Sequence, residues 1–205
     1  LSHPRIIRVF DFGIDDEGPY YTMELLRGGE LSAPSPWRQV CFSLRDIATS
    51  LSLLHARRLL HRDLSPRNVK HTEGGHCKLL DFGALADFGV PPNIVGTPPL
   101  VPPEALRGDM LDQRADLYAL GALGYWLLTG QHAFAARHLD DLDVLWERTP
   151  RAPSQLIEGI PRALDALVLS LLSKNPLARP SSAAEVIAKL NTVADLPHEE
   201  ERERQ

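Results

Sequence analysis

The sequence predicts an α+β fold in which strands and helices occupy separate stretches of the chain. Three observations predict it. The opening is β-branched and aromatic with a turn in its middle, the period becomes helical at Trp37, and the second half is helical from Asp112 onward. Between these parts, residues 59–104 carry short apolar runs broken by glycine and proline, the pattern of loops and short strands.

Each element has its own reason. Ile6-Ile7-Arg8-Val9-Phe10-Asp11-Phe12-Gly13 and Tyr20-Tyr21-Thr22-Met23-Glu24-Leu25-Leu26 flank the turn-rich Asp15-Asp16-Glu17-Gly18-Pro19, so the segment reads as a β-hairpin. Gly28-Gly29 and the prolines at 34 and 36 then break structure. Val40, Leu44, Ile47, Ala48, Leu51 and Leu54 form one apolar stripe at helical spacing, closed by Arg57-Arg58, two cations suited to a C-terminal dipole. Asp112 to Leu128 is apolar on nearly every face and predicts a helix buried all round. Gly121 and Gly124 inside it each cost about 1 kcal/mol against alanine, so they predict close packing against a neighbouring backbone. Pro161 is placed as a first helical residue ahead of Leu164, Leu167, Val168, Leu171 and Leu172. A capping box, Ser182-x-x-Glu185, opens the last helix, with Val186, Ile187, Leu190 and Val193 inward. His198 to Gln205 is charged and free of apolar residues, the composition of a tail or linker.

Composition excludes several functions. Of 205 residues, 43% are hydrophobic and 24% charged, with a net charge of −5, which removes the electrostatic case for nucleic-acid binding. No apolar run approaches the roughly 18 residues needed to cross a bilayer. Two cysteines, Cys41 and Cys77, point to a reduced compartment, hence the cytoplasm, and to no disulfide framework. Their helix and strand settings favour inert thiols over reactive ones. His3, His132, His138 and His198 show no metal-ligand spacing.

Chemistry concentrates in the centre, in His61-Arg62-Asp63-Leu64-Ser65-Pro66-Arg67-Asn68, then Asp81-Phe82-Gly83, then Gly96-Thr97-Pro98-Pro99 and Pro102-Pro103-Glu104. Asp-Phe-Gly alone is weak, since it also occurs at 11–13 and 87–89. Only the copy at Asp81 follows Asp63 and precedes Pro-Pro-Glu. This ordered set resembles a eukaryotic-like protein kinase of the bacterial Ser/Thr type, across almost the whole chain. The resemblance implies a kinase-like fold, a mostly helical C-lobe preceded by a β-hairpin from a truncated N-lobe. Residues 1–27 would be the last two N-lobe strands and the hinge, and 28–196 the C-lobe. The catalytic loop would be 61–68, the activation segment 81–104, and 197–205 a charged tail or linker.

The resemblance also implies roles. Phosphoryl transfer leaves the protein mainly positioning and charge neutralisation. Asp63 resembles the carboxylate that orients the acceptor hydroxyl and takes its proton; Asn68 and Asp81 resemble the oxygen ligands of Mg²⁺ beside ATP. Met23 would be the gatekeeper, the backbones of Glu24 and Leu26 would pair with adenine, and Glu30 would reach the ribose or a basic substrate residue. Gly96-Thr97 is similar to the Ser/Thr-kinase pattern, so the partner would be a protein substrate accepting phosphate on Ser or Thr. Glu104 and Arg179 resemble the buried ion pair holding the activation segment, and Asp116 the aspartate that accepts catalytic-loop N–H groups. His61 and Phe82, followed by Gly83, would stack in the core.

Three departures stand out. Ser65 occupies the place of a phosphate-neutralising lysine, and Arg67 is expected to supply that charge. Lys70 stands where the family places an apolar residue under adenine, its stem able to pack while its head reaches solvent. Arg62 usually accompanies activation-loop phosphorylation, yet Thr97 is the only hydroxyl residue between Gly83 and Glu104, so that switch is not expected. None of the 14 glycines forms Gly-x-Gly-x-x-Gly and no Val-Ala-x-Lys occurs. The chain by itself is therefore expected to be inactive, with Ile6, Ile7, Val9 and Tyr21 exposed on the hairpin. The competing reading is a degraded or pseudokinase lobe that binds partners without catalysis.

Overall fold

A computed structural model describes residues 3–196. The α+β layout is as expected: a β-hairpin comes first and helices dominate the rest. Strand β1 (Val9–Asp15) pairs antiparallel with β2 (Gly18–Met23), and the Asp15 carboxylate accepts the Glu17 and Gly18 N–H groups to close the turn. The expected tail at 197–205 lies outside the described residues.

The strand begins at Val9, later than the run of β-branched residues suggested. Ile6 and Ile7, expected to be exposed, are 3% and 5% accessible. The reason is a pairing from far along the chain. Strand β5 (Cys77–Leu79) lies beside residues 5–7, with Leu79 N donating to Arg5 O at 2.9 Å and Ile7 N to Leu79 O at 3.0 Å. Val9 and Tyr21 are exposed as expected, together with Phe10, Phe12 and Ile14. The hairpin is thus rooted in the body, and its blades stand in solvent.

Helix α1 (Trp37–Ala56) buries the predicted stripe from Val40 to Leu54. Its end is closed by Arg57, whose guanidinium donates to Leu53 O at 3.2 Å. Its Asp46 carboxylate, buried in the interior, gathers three donors: Arg5 Nε at 3.0 Å, the His76 ring at 3.0 Å and Cys77 N at 2.9 Å. One side chain thereby joins the root of the hairpin, the first long helix and β5.

The centre is a set of two-stranded ribbons. Strand β3 (Leu59–Leu60) pairs with β6 (Ala86–Asp87), and β4 (Val69–His71) pairs with β5. Period-2 alternation sends Val69, Cys77 and Leu79 into the core. Short helix α2 (Pro103–Leu106) leads to α3 (Gln113–Thr129), for which Asp112 is the N-cap, accepting Arg114 N. Helix α3 is buried along almost its whole length and packs on α1 and on α5 (Arg162–Leu171). Its glycines are there for proximity. A methyl at Gly121 would sit 2.5 Å from Leu171 Cβ, and one at Gly124 would sit 2.9 Å from Leu44 Cδ1.

Two cap expectations need correction. Pro161 is the residue before α5, in extended conformation with ψ 140, and not its first helical residue. Its missing N–H costs nothing there either. Between α3 and α5 lies the single turn α4 (Leu142–Leu145). In the last helix, α6 (Ala183–Ala194), the Ser182 hydroxyl accepts Glu185 N, but the Glu185 carboxylate returns to Ser181 N at 2.7 Å instead of the N-cap N–H. Lys189 and the Ser181 N–H and hydroxyl draw the Glu185 pKa down to about 2.

Candidate active site

The loop after β3 is built around Asp116, one turn into α3. Its buried carboxylate accepts His61 N and Arg62 N, both at 2.9 Å, and the His55 ring Nε2 at 2.9 Å. Burial would raise this pKa, but the His55 ring and the Arg62 N–H outweigh it and hold the group below the ordinary carboxylate range. The bonds fix Arg62 at φ 64, a left-handed conformation that a bulky residue adopts only when its surroundings impose it. The chain therefore reverses before Asp63. His55 was not singled out by the sequence, where it looked like any base in the last turn of a helix.

The turn Pro66–Asn68 brings the next group round. Asn68 Nδ2 donates to the Asp63 carbonyl at 2.8 Å and to its carboxylate at 3.0 Å. The Thr97 hydroxyl reaches the same carboxylate at 3.5 Å, the outer limit of a hydrogen bond. Gly96 makes this approach possible: its φ is 116, and a Cβ there would lie 2.9 Å from Arg62 O. Leu80 N donates to Asn68 O at 2.8 Å, which sets Asp81 beside Asn68. Asp81 is itself left-handed, at φ 55, and its carboxylate accepts Gly83 N at 3.0 Å.

Between the hairpin and these loops runs a cleft of about 480 Å³. Ile7, Val9, Tyr21 and Met23 form one wall; Arg67, Asn68, Lys70 and the Leu80–Gly83 run form the other. Of the residues anticipated from the motifs, the cleft gathers Met23, Arg67, Asn68, Lys70, Asp81, Phe82 and Gly83, with Asp63 one hydrogen bond behind Asn68. Glu24, Leu26 and Glu30 do not line it. The Glu24 carboxylate faces away, taking Arg8 N at 2.8 Å and the Lys78 ammonium at 2.5 Å. Desolvation opposes its ionisation, but these donors prevail and lower its pKa. Ser65 is buried, whereas Arg67 is exposed at the cleft. His61 packs edge-on against Phe82 with ring centroids 5.3 Å apart. Burial pushes both thiols, Cys41 and Cys77, up to about 12, so neither is a nucleophile at neutral pH.

The donor set suits a hard cation. Asn68 spends its amide N–H₂ on Asp63, which leaves its oxygen as the remaining acceptor in a cleft that Asp81 also lines. Two protein oxygens are the number magnesium accepts when phosphate oxygens and water complete its shell. Among the described residues no group of three or more His, Cys, Asp or Glu side chains forms a closed metal cage. No helix among them is long and apolar enough to cross a membrane.

Below the site, Glu104 of α2 and Arg179 form a two-pronged ion pair at 2.5 and 2.8 Å, both side chains buried. Arg179 also donates to Arg114 O and Ser173 O, each at 2.8 Å, and lies 4.8 Å over the Tyr118 ring.

Comparison with known proteins shows the family. The protein kinase domain family matches residues 1–190. The chain is 34% identical over 209 residues to serine/threonine-protein kinase PknB of Mycobacterium leprae, covering 93% of this chain and 33% of that protein. It is 33% identical over 210 residues to serine/threonine-protein kinase PknL of Mycobacterium tuberculosis, covering 95% and 52%. It is 37% identical over 199 residues to serine/threonine-protein kinase Pkn1 of Myxococcus xanthus, covering 90% and 29%. The chain thus spans between 29% and 52% of the length of these relatives. A family match that runs from the hairpin into the last helix, over a loop pair that joins Asp63, Asn68 and Asp81, places the chain in the protein kinase family, among relatives of the bacterial serine/threonine type.

Proposed function

We propose that this chain is the larger part of a protein Ser/Thr kinase catalytic domain that transfers the γ-phosphoryl group of ATP to protein hydroxyls in the cytoplasm. The carrying observation is that Asn68 binds the Asp63 carboxylate while sharing one cleft with Asp81. In this reading residues 1–27 belong to the small lobe and hinge, and 28–196 form the large lobe. Asn68 and Asp81 would hold Mg²⁺, which when bound neutralises charge on the phosphates. Asp63 orients the acceptor hydroxyl and takes its proton, and Thr97 steadies the same carboxylate from the activation segment. Met23, on the hairpin wall of the cleft, would face the base.

Two parts named by general kinase chemistry, a glycine-rich phosphate loop and a strand lysine, do not occur among residues 1–205. Purified residues 1–205 should therefore show no ATP turnover, yet bind MgADP in a manner that Asp81→Asn weakens. Calorimetric titration with and without Mg²⁺ checks the binding. ATPase or autophosphorylation lost in Asp63→Asn would contradict the inactivity, and MgADP binding insensitive to Asp81→Asn would contradict the metal assignment.

Arg67 takes the place of the phosphate-neutralising lysine, because Ser65 is buried and the guanidinium fork suits phosphate oxygens. In a transfer-competent form of the protein, Arg67→Ala should lower turnover on the order of 10²-fold while nucleotide affinity changes little. Steady-state kinetics and nucleotide titration separate the two effects.

Arg62 supports a kinase without an activation-loop phosphate switch. Its Nε donates to Ala84 O at 2.7 Å and its Nη1 to Asn93 O at 3.3 Å, so backbone carbonyls occupy donors that a phosphate would use. In a transfer-competent form of the protein, phosphatase treatment should leave activity unchanged, and phosphosite mapping should find Thr97 unmodified. A modified Thr97 that accompanies activation would overturn this.

A further inference from the structure

One face of the central ribbon carries an unusual row of charges. Lys70 of β4 and Lys78 of β5 are directly opposite partners, so both side chains leave the same face, opposite to Val69, Cys77 and Leu79. Like charges in that relation repel. The 24–30 segment answers both of them. Glu24 takes Lys78, and Glu30 lies across an antiparallel bridge from Lys70 with its carboxylate 3.8 Å from the ammonium. That register is held by backbone bonds on either side of His71, from Gly28 N to His71 O and from His71 N to Gly29 O.

Lys70 lines the cleft whereas Glu30 does not, and the Glu30 side chain is 71% exposed against 38% for Lys70. The carboxylate therefore stands at the rim and the stem of Lys70 lies across the floor. We infer that Glu30 is a positioning residue for the base side of the cleft: it draws the Lys70 ammonium to the rim, so that the methylene stem and not the charge lies under a bound purine. The inference rests on the nucleotide reading of the cleft. Released from Glu30, the ammonium would lose solvent beneath the base without a partner, and binding would weaken. The pair is solvent-accessible, so the effect is that of a surface ion pair and not of a buried one.

Titration of MgADP into the 205-residue chain, followed by NMR, tests this. Glu30→Gln should weaken binding by about threefold to fivefold. Lys70→Met should bind at least as tightly as the native chain, and Glu30→Gln added to it should cost less than half as much as it does alone. Tighter binding by Glu30→Gln, or an equal loss in both backgrounds, would overturn the inference, the latter because Glu30 then touches the ligand itself. Without ligand, the ¹³C-dimethyl resonance of Lys70 should shift in Glu30→Gln. A resonance that does not move overturns the inference alone, whereas absence of MgADP binding in the native chain and in Lys70→Met overturns the nucleotide reading and this inference with it.

Discussion

Replacing Arg179 by alanine will cost the fold about 3–5 kcal/mol, a large share of what a domain of this size has to lose. The side chain is buried, and its removal leaves the Glu104 carboxylate charged in the interior with no cation. It also strips the Arg114 and Ser173 carbonyls of a donor and the Tyr118 face of its guanidinium. Urea denaturation of residues 1–205 measures the effect, read as a lower midpoint at an unchanged slope. Glu104→Leu combined with Arg179→Met should recover most of the loss, since two apolar groups leave no buried charge behind. A cost below about 1 kcal/mol for Arg179→Ala would mean that solvent reaches the pair and that it holds nothing.

The second large effect is catalytic. Asp63→Asn should reduce phosphoryl transfer by about 10²–10⁴-fold in a transfer-competent form of the protein, the range for loss of a general base. The exchange is nearly isosteric. An asparagine oxygen at position 63 can still accept from Asn68 Nδ2, so the loop should keep its shape and nucleotide affinity should stay close to native. In the proposed mechanism only the proton acceptor is lost. Single-turnover kinetics beside a nucleotide titration distinguish this from misfolding. Retention of more than a tenth of the native rate would remove Asp63 from its proposed role.

Much of this was legible because short-range patterns decided it. The strand-like runs flanking the turn at Asp15–Gly18 specify a hairpin, the stripe from Val40 to Leu54 specifies one buried helix face, and the glycines of α3 announce its close neighbours. The order of motifs from His61 to Glu104 carries the family resemblance in the sequence itself. What escaped depends on partners distant in sequence. Ile6 and Ile7 looked exposed because their cover, Leu79, lies on a strand of three residues, too short for its alternation to stand out in the sequence. His55 carried no signal because only the fold brings Asp116 to its ring. The Lys70–Glu30 relation depends on a bridge register that two separate segments acquire only when paired. The reach of Glu185 to Ser181 was missed for a smaller reason, a neighbouring serine offering the same donors one residue earlier.

The Asp46 junction has a mechanical consequence. Because one carboxylate in the first long helix grips Arg5, His76 and the Cys77 amide, the hairpin is clamped at its base and free at its tip. Its exposed blades therefore meet the body at residues 5–7, where Ile7 begins the hairpin wall of the cleft.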